Sequence, residues 1–363
     1  MKSILVLTNC VAGLHSFRRE VMKAIVDEGY TLYLSFPDKD ERAKYFESIG
    51  CKLLDISFNR RGMNPIKDIK LWFDYVRIMK KIKPEAVLTY TIKPNIYGGM
   101  AASLCGVPQI ANVTGLGDSL ENPGTLQKLT IFLYKFGLRN AKTVFFQNSA
   151  NRRFCIDRRI VNENKSKLLP GSGVNINYHI YQEYPREGVQ KFLFIARLLK
   201  DKGTDEYFEA AKVLKSKYPK TEFQILGSIE GDYRNKVDSL SKEGIIKFLG
   251  STSDVRPFIG KSNCTVLPSY HEGLSNVNLE SAANGRPVIT TNVPGCRETV
   301  DDGITGYLCE ARSAESLIEA IEKFINLSHE VKANMGKEGR NKVEREYDRN
   351  IVVKAYMDEL KRL

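Results

Sequence analysis

The chain has 363 residues, 42% of them hydrophobic, and a formal net charge of +12. This length suits two domains better than one core, and the absence of an apolar run of about 18 residues excludes a transmembrane helix. The short apolar start, Ile4–Leu7, resembles a buried strand more than a signal peptide. Seven scattered cysteines without a CxxC pair, and four scattered histidines, predict reduced thiols in the cytoplasm and no metal site.

The excess positive charge lies in the first half of the chain. Residues 1–175 hold 27 Lys and Arg against 15 Asp and Glu, whereas residues 176–363 hold 28 of each. A basic half beside a neutral half indicates two domains with different partners. The candidates for the basic half are an anionic membrane, a nucleic acid or an anionic substrate.

Strand-like and helix-like segments alternate from the start of the chain. Short apolar runs, partly β-branched, predict strands at residues 2–8, 30–36, 51–57, 86–90, 108–115 and 143–148. Amphipathic patterns predict helices at residues 16–29, 64–83 and 95–106. This alternation favours a parallel, doubly wound α/β sheet.

A second alternating series begins near residue 191. It predicts strands at residues 192–197, 222–227, 245–250, 264–269, 286–291 and 305–310, and a helix at 204–219. We therefore predict two α/β domains, 1–175 and 176–346, with the linker in the loop-like stretch 168–188. The amphipathic last helix, about 347–363, could pack back on the first domain, which the sequence alone does not decide.

The stretch HEGLSNVNLE, residues 271–280, places Glu272 and Glu280 on either side of small residues. If a helix begins near Ser275, the backbone N–H groups of Gly273 to Asn276 point at an anion, with Glu272 in the loop before them. Carboxylates accept pairs of hydrogen bonds from vicinal hydroxyls, so the two acids fit a sugar and a ribose on either side of a diphosphate. The alternative is an acidic helix start, which the helix dipole also favours.

Charged and small residues follow the first strand of each predicted domain. Arg197 and Lys202 could stabilise the charge of a diphosphate leaving group without a metal; the alternative is a solvated charge pair. Gly13 and His15, ahead of a helix predicted to start near Ser16, suit a phosphate or an anionic acceptor, unless they simply form a tight turn. Neither a GxGxxG fingerprint nor a P-loop is present, which disfavours a nicotinamide dehydrogenase.

The predicted helix 64–83 has an apolar face interleaved with basic residues. The pattern predicts a helix packed on the sheet with a solvated face, and the alternative is contact with an anionic membrane. Its apolar positions are 66, 69, 72, 73, 76, 79 and 82, and its basic positions are 67, 70, 77, 80, 81 and 83.

Together these elements resemble the family 4 retaining glycosyltransferases. The resemblance extends over nearly the whole chain and lies in HEGLSNVNLE, SAANGRPVITTNVPGCRE, ARLLKDKG, LGS at 226–228 and FLGSTSDV at 248–255. It implies the GT-B fold, two Rossmann-like domains facing each other across a cleft. TIKPNIYGG and NVTGLGDS in the first half resemble a subgroup that builds bacterial capsule, O-antigen or lipid-linked glycans.

The resemblance also implies residue roles. Glu272 would contact the transferred sugar, Arg197 and Lys202 the diphosphate, and Glu280 the ribose. Further donor contacts are expected at Gly273, Leu274, Ser275, Asn276, Gly227, Leu249, Gly250, Ser251 and Gly13, and acceptor contacts at His15, Lys93, Thr114 and Gly115. Many family members carry a first-domain histidine near the reacting sugar. This chain has none within Thr89–Lys93, where Lys93 is a candidate replacement.

The resulting prediction is a retaining enzyme that moves an N-acetylhexosamine or galactose from a UDP-sugar to a polyprenyl-diphosphate-linked or growing surface glycan. No metal or cofactor is expected. The enzyme is expected in the cytoplasm, peripherally on the anionic inner face of the plasma membrane. A sugar-nucleotide epimerase of the same fold is the alternative. A nucleic-acid-binding protein is less favoured because no cluster of interleaved aromatic residues is present.

Overall fold

The computed structural model describes residues 2–38, 40–56, 64–116, 120 and 124–363. It divides into two compact units, which are described separately below. Unit 1 comprises Met1–Ser172 and Arg349–Leu363, and unit 2 comprises Gly173–Asp348. The predicted site stretches that follow strands at Arg197, Gly227 and Glu272 therefore all belong to unit 2.

The described part of unit 1 contains a seven-stranded parallel sheet. Its strands are β1 Ser3–Leu7, β2 Thr31–Phe36, β3 Lys52–Asp55, β4 Ala86–Tyr90, β5 Gln109–Val113, β6 Ala141–Phe146 and β7 Ser166–Leu168, in the order β3-β2-β1-β4-β5-β6-β7. The first six agree with the sequence prediction. β7 was not predicted because its three residues, Ser-Lys-Leu, contain no apolar run.

Helices connect these strands. They are α1 Val11–Asp27, α2 Ala43–Ser48, α3 Pro65–Ile82, a π-helical turn Pro94–Gly98 that continues into α4 Gly99–Cys105, α5 Thr125–Leu138 and α6 Ser149–Asp157. The predicted start of α1 near Ser16 is wrong, since the chain turns into the helix directly after Cys10. Gly13 and His15 therefore lie within the helix instead of ahead of it.

Unit 2 contains a six-stranded parallel sheet. Its strands are β8 Gln190–Ile195, β9 Thr221–Leu226, β10 Ile246–Phe248, β11 Cys264–Leu267, β12 Val288–Thr291 and β13 Gly306–Cys309, in the order β10-β9-β8-β11-β12-β13. Its helices are α7 Thr204–Lys217, α8 Tyr233–Lys242, α9 Arg256–Lys261, α10 Asn276–Ala283, α11 Ala314–Ile325 and α12 His329–Glu346. All six strands fall on predicted segments.

The C-terminal helix, α13 Arg349–Lys361, returns to unit 1. Val352 and Tyr356 are buried in the core that β1, β2 and α1 share. The Asn112 amide donates to the Tyr356 hydroxyl at 2.6 Å, and Arg349 pairs with Glu20 at 2.9 Å. Apolar burial and these polar contacts together explain why this helix packs on unit 1, as the sequence allowed.

The strand order of each sheet reverses beside its first strand. In unit 1 the reversal lies between β1 and β4, and in unit 2 between β8 and β11. Open α/β sheets bind ligands at such a switch point, beyond the carboxyl ends of the strands. The prediction of two doubly wound α/β domains is confirmed. Among the helices of the described residues, none combines the length and apolar character that crossing a membrane requires.

Candidate active site

Two predicted site residues meet at the switch point of unit 2. The Lys202 ammonium donates to the Glu272 carboxylate at 2.8 Å, although 70 positions separate the two residues in the chain. Their side chains are only 16% and 21% exposed. A partly buried ion pair is less screened than a surface pair, so each charge helps to hold the other in place.

The loops that carry this pair touch along their backbones. The N–H of Tyr270 donates to the carbonyl of Asp201 at 2.8 Å. Gly203 has a φ of 71°, and an added Cβ there would lie 2.1 Å from the carbonyl oxygen of Pro268. Only glycine fits so close an approach in this conformation. The glycine of ARLLKDKG therefore allows the loop after β8 to meet the loop after β11.

A third loop, which follows β12, packs against the backbone of Glu272. Gly295 has a φ of 85°, and a Cβ there would lie 2.2 Å from the Glu272 carbonyl oxygen. The Gly295 N–H donates to the Glu298 carboxylate at 2.7 Å, and the Gly295 carbonyl accepts from the Ser275 N–H at 2.7 Å. The Ser275 N–H is thus engaged within the protein, and the prediction that it points at an anion is wrong.

The helix expected near Ser275 begins there. Ser275 is the N-cap of α10, and its hydroxyl accepts from the Asn278 N–H at 3.3 Å. Glu272 lies in the loop before the helix and Glu280 within it, as the spacing predicts. Asn276 is the first helical residue, Gly273 belongs to the loop, and the Leu274 side chain is buried with Leu279 in the core. Leu274 can therefore face a ligand only through its backbone.

The structure pairs Arg197 with an acid that sequence reasoning missed. The guanidinium lies 3.2 Å from the carboxylate of Glu230, and both side chains are substantially exposed. Surface pairs of this kind contribute little to stability. An anionic ligand could therefore replace Glu230 as the partner of Arg197 with only a small loss of free energy of folding. The only sequence signal for Glu230 is its position just after β9, the strand next to β8.

The stretches predicted to meet the base, Gly227 and Leu249–Ser251, do lie together. The Gly227 N–H donates to the Gly250 carbonyl at 2.7 Å, and the Leu249 N–H donates to the Ile225 carbonyl at 2.8 Å. These two N–H groups are occupied, so base contacts through them are ruled out. Gly250, with a φ of 77°, and the exposed Ser251 complete the loop after β10.

Gly227→Ala is expected to destabilise the protein by about 2 kcal/mol or more, because the added Cβ would lie 1.8 Å from the backbone carbonyl oxygen of Ala196. Chemical denaturation would measure the change in the free energy of unfolding. Gly339→Ala is the matched control in unit 2, since its added Cβ would meet atoms no closer than 3.4 Å and alanine favours the helix. Equal stabilities of the two variants would contradict the expectation.

In unit 1, Gly13 lies in the first turn of α1, where an added Cβ would meet no atom of the described residues within 4 Å. His15 packs edge-on against the rings of Tyr45 and Phe46, at 5.2 and 6.1 Å between centroids. Burial and the nearby charge of Arg19 lower the pKa of His15. The neutral imidazole is therefore favoured at pH 7, and its ring serves at least to pack α1 against α2.

Lys93 is held by a carboxylate that the sequence did not single out. Its ammonium lies 2.6 Å from Asp68, with both side chains mostly buried, and the hydroxyl of Tyr97 donates to the same carboxylate at 3.2 Å. Lys93 thus stands beside the switch point of unit 1 with its charge compensated. Thr114 and Gly115 directly follow β5, at the same edge of the sheet.

Two further features at this edge escaped sequence reasoning. Thr91, directly after β4, has a φ of 73°, which is unusual for a β-branched residue, and its buried hydroxyl has no hydrogen-bond partner among the described residues. Strain of this kind is typical of functional sites. Arg18 is 3% exposed and lies 5.7 Å from the ring centre of Tyr90. A buried arginine has no recognisable sequence signal.

The site of unit 2 consists of charged and small residues at strand ends, and no described group of three or more His, Cys, Asp or Glu side chains is placed to hold a metal. Two family models match the chain. "Glycosyl transferase 4-like" matches residues 4–148, and "Glycosyl transferases group 1" matches residues 180–342. The chain belongs to the family 4 glycosyltransferases. The predicted family and enzyme class are confirmed.

The sequences of several glycosyltransferases align with most of the length of this chain. It is 26% identical, over 97% of its length and 96% of the relative's, to the N,N'-diacetylbacillosaminyl-diphospho-undecaprenol alpha-1,3-N-acetylgalactosaminyltransferase of Campylobacter jejuni. It is 28% identical to the UDP-Gal:alpha-D-GlcNAc-diphosphoundecaprenol alpha-1,3-galactosyltransferase of Escherichia coli, over 78% of its length and 76% of the relative's.

Solved structures show the same fold. HepE of Anabaena, in complex with UDP and glucose, superimposes with a TM-score of 0.82 at 16% identity, over 100% of both chains. A glycosyltransferase of Rickettsia africae gives a TM-score of 0.80 at 19% identity, over 99% of this chain and 98% of the other. The predicted GT-B fold is therefore confirmed.

Proposed function

We propose that this glycosyltransferase moves a sugar from a UDP-sugar to a polyprenyl-diphosphate-linked glycan, with retention of the anomeric configuration. The observation that carries the proposal is the Lys202–Glu272 pair at the switch point of unit 2. Relatives named for undecaprenyl-diphosphate acceptors, similar over three quarters or more of the chain, support the acceptor class.

The reaction breaks the bond between the anomeric carbon and the diphosphate oxygen and forms one to an acceptor hydroxyl oxygen. The hydroxyl proton is released to water, and UDP leaves with the electron pair of the broken bond as an added negative charge. Lys202 would stabilise that charge, together with Arg197 once it exchanges Glu230 for the diphosphate. Glu272 would accept hydrogen bonds from the sugar hydroxyls and Glu280 from the ribose. None of these roles requires a metal ion.

The proposed sugar is an N-acetylhexosamine or galactose, because the two relatives are named for N-acetylgalactosamine and galactose transfer. The basic character of residues 1–175 supports unit 1 as the acceptor side, since a lipid-linked diphosphate is anionic. Such an acceptor would place the enzyme on the inner face of the plasma membrane, with His15, Lys93, Thr114 and Gly115 as candidate acceptor contacts.

The test is a panel of nucleotides and nucleotide-sugars, each measured for its effect on the melting temperature and for hydrolysis, with and without EDTA. A ligand that binds only the folded state raises its melting temperature. We expect the largest shifts with UDP and one UDP-sugar, unchanged by EDTA, and transfer to a synthetic polyprenyl-diphosphate sugar. Failure of every nucleotide to bind, or epimerisation of the sugar nucleotide without an acceptor, would contradict the proposal.

Glu280→Ala is expected to weaken UDP binding by about tenfold or more, because a carboxylate that accepts from two ribose hydroxyls makes charge-assisted hydrogen bonds. Titration calorimetry with UDP would measure the change. Glu319→Ala, at an exposed position of α11 in the same unit, is the control and should bind UDP as the wild type does. An unchanged dissociation constant for Glu280→Ala would remove this residue from the donor site.

A further inference from the structure

Unit 2 contains a cleft at the edge of its sheet opposite to Lys202 and Glu272. The volume of the cleft is about 480 Å³. Gln190, which opens β8, Lys220, which directly precedes β9, and Asn263, which directly precedes β11, line it. Parallel strands begin at one edge of a sheet and end at the other. The length of β8, about 17 Å at 3.3 Å per residue, therefore separates the cleft from the candidate active site.

The start of helix α12 forms another wall of the cleft. Ser328 is the N-cap of α12, and Ser328 and His329 both line the cleft. The first N–H groups of a helix have no partner within the helix and carry a partial positive charge, which favours an anion in front of them. Because every helix has such a start, the charged side chains beside this one decide what the cleft can bind.

Lys332, in the first turn of α12, brings a buried positive charge to the cleft. It is 6% exposed, and its ammonium donates to the side-chain oxygen of Gln190 at 3.1 Å and to the Ile325 carbonyl at 2.9 Å. The ring centre of Phe324 lies 5.4 Å from the ammonium. All three partners are neutral, and Lys332 forms no ion pair with an acid of the described residues. Burial lowers the pKa of Lys332, because a buried charge without a counter-ion is costly.

The other lining residues add positive charge and an apolar wall. Lys220 is exposed, and Glu187, also exposed, is the one acid among the described residues that line the cleft. Tyr184, Ile325 and Leu327 contribute apolar surface. The cleft therefore combines two ammonium groups and a helix start with apolar side chains, and its positive charge exceeds its negative charge.

We infer that the cleft binds a small phosphate monoester, with the phosphate held by Lys332, Lys220 and the first N–H groups of α12. A phosphate monoester carries about −1.5 to −2 charges at pH 7, which compensates both ammonium groups. The cleft volume lies within the range of about 300–1,000 Å³ that is typical of small-molecule pockets, so the organic part has room against the apolar wall. A carboxylate fits less well, because its single charge leaves one ammonium uncompensated. The inference does not depend on glycosyl transfer.

Titration calorimetry of the full chain with glycerol 3-phosphate tests it, in phosphate-free buffer at constant ionic strength, with and without saturating UDP. We expect binding under both conditions, tighter than that of inorganic phosphate, and no binding of glycerol. Lys332→Met should weaken binding by about tenfold or more, because it removes a buried charge-assisted hydrogen bond and preserves the length of the side chain. Lys220→Glu should weaken binding by about threefold or more, because it replaces an attractive charge by a repulsive one.

Lys242→Glu is the control, because it makes the same change of charge at an exposed position of α8 outside the cleft. It should bind glycerol 3-phosphate as the wild type does. If Lys332→Met does not fold, Lys220→Glu decides the question, since its side chain is exposed. Loss of binding on addition of UDP would place the phosphate at the nucleotide site and overturn the inference. Absence of wild-type binding, wild-type affinity in both cleft variants, equal loss in the control, or an equal or higher affinity for inorganic phosphate would also overturn it.

Discussion

Replacing Glu272 by glutamine is expected to lower kcat/KM for transfer by about 10²–10³-fold while the affinity for UDP stays within a few-fold. The amide is nearly isosteric, and its oxygen can still accept the hydrogen bond that Lys202 donates at 2.8 Å. It loses the negative charge and one of the acceptor oxygens that the sugar hydroxyls need. The loss should therefore appear in the chemical step, with the fold preserved.

Steady-state transfer assays and UDP titration, run on the same preparation, separate the two effects. Glu298→Gln is an informative comparison, because the Glu298 carboxylate accepts from the Gly295 N–H, whereas the Lys202 ammonium pairs with Glu272. We expect a smaller loss of activity there. Wild-type transfer by Glu272→Gln, or an equal fall in UDP affinity and turnover, would show that Glu272 does not act on the transferred sugar.

Lys202→Met is expected to reduce turnover by about 10²-fold and to weaken UDP binding by about tenfold. The substitution removes the ammonium proposed to meet the leaving diphosphate, and it leaves the partly buried Glu272 carboxylate without this partner. With the Lys202 charge removed, the Glu272 carboxylate would also repel the diphosphate more strongly. Both consequences reduce transfer and binding together, in contrast to Glu272→Gln.

Lys200→Met is the matched control, because Lys200 lies on the same short helical turn but is exposed. It should retain wild-type turnover and UDP affinity. The two variants can be compared by single-turnover transfer and by calorimetric titration with UDP. Equal effects at both positions would indicate a general loss of positive charge, and the assignment of Lys202 to the diphosphate would fail.

Local sequence signals predicted much of the fold. Short β-branched runs separated by amphipathic segments identified β8 and the other strands of unit 2. This works because the spacing of apolar residues that distinguishes a strand from a helix can be read from residues close together in the chain. The same reasoning placed Glu272 in a loop and Glu280 in a helix, since Ser275 is a typical N-cap. Residues that follow parallel strands must share one edge of the sheet, so Lys202 and Glu272 could be expected near each other.

Helix α5 shows where local patterns fail. Its sequence, TLQKLTIFLYKFGL, has apolar residues on two sides, so no single apolar face stands out from the polar one. Helix α3 shows the opposite failure. Its regular apolar spacing does not reveal whether the apolar face packs on the sheet or faces the solvent, and Ile66, Ile69 and Phe73 are in fact exposed. Burial depends on the neighbouring helices, and these come from elsewhere in the chain.

The sequence by itself determined the alternating α/β architecture, the family and the candidate acids and bases at the strand ends. Only the tertiary structure decided which polar groups are already engaged. Glu230 forms an ion pair with Arg197, and Asp68 forms one with Lys93. The Gly295 carbonyl accepts a hydrogen bond from the Ser275 N–H. The partners in each of these contacts lie 20 or more positions apart in the chain. Their pairing depends on sheet order and loop approach, which periodicity does not encode.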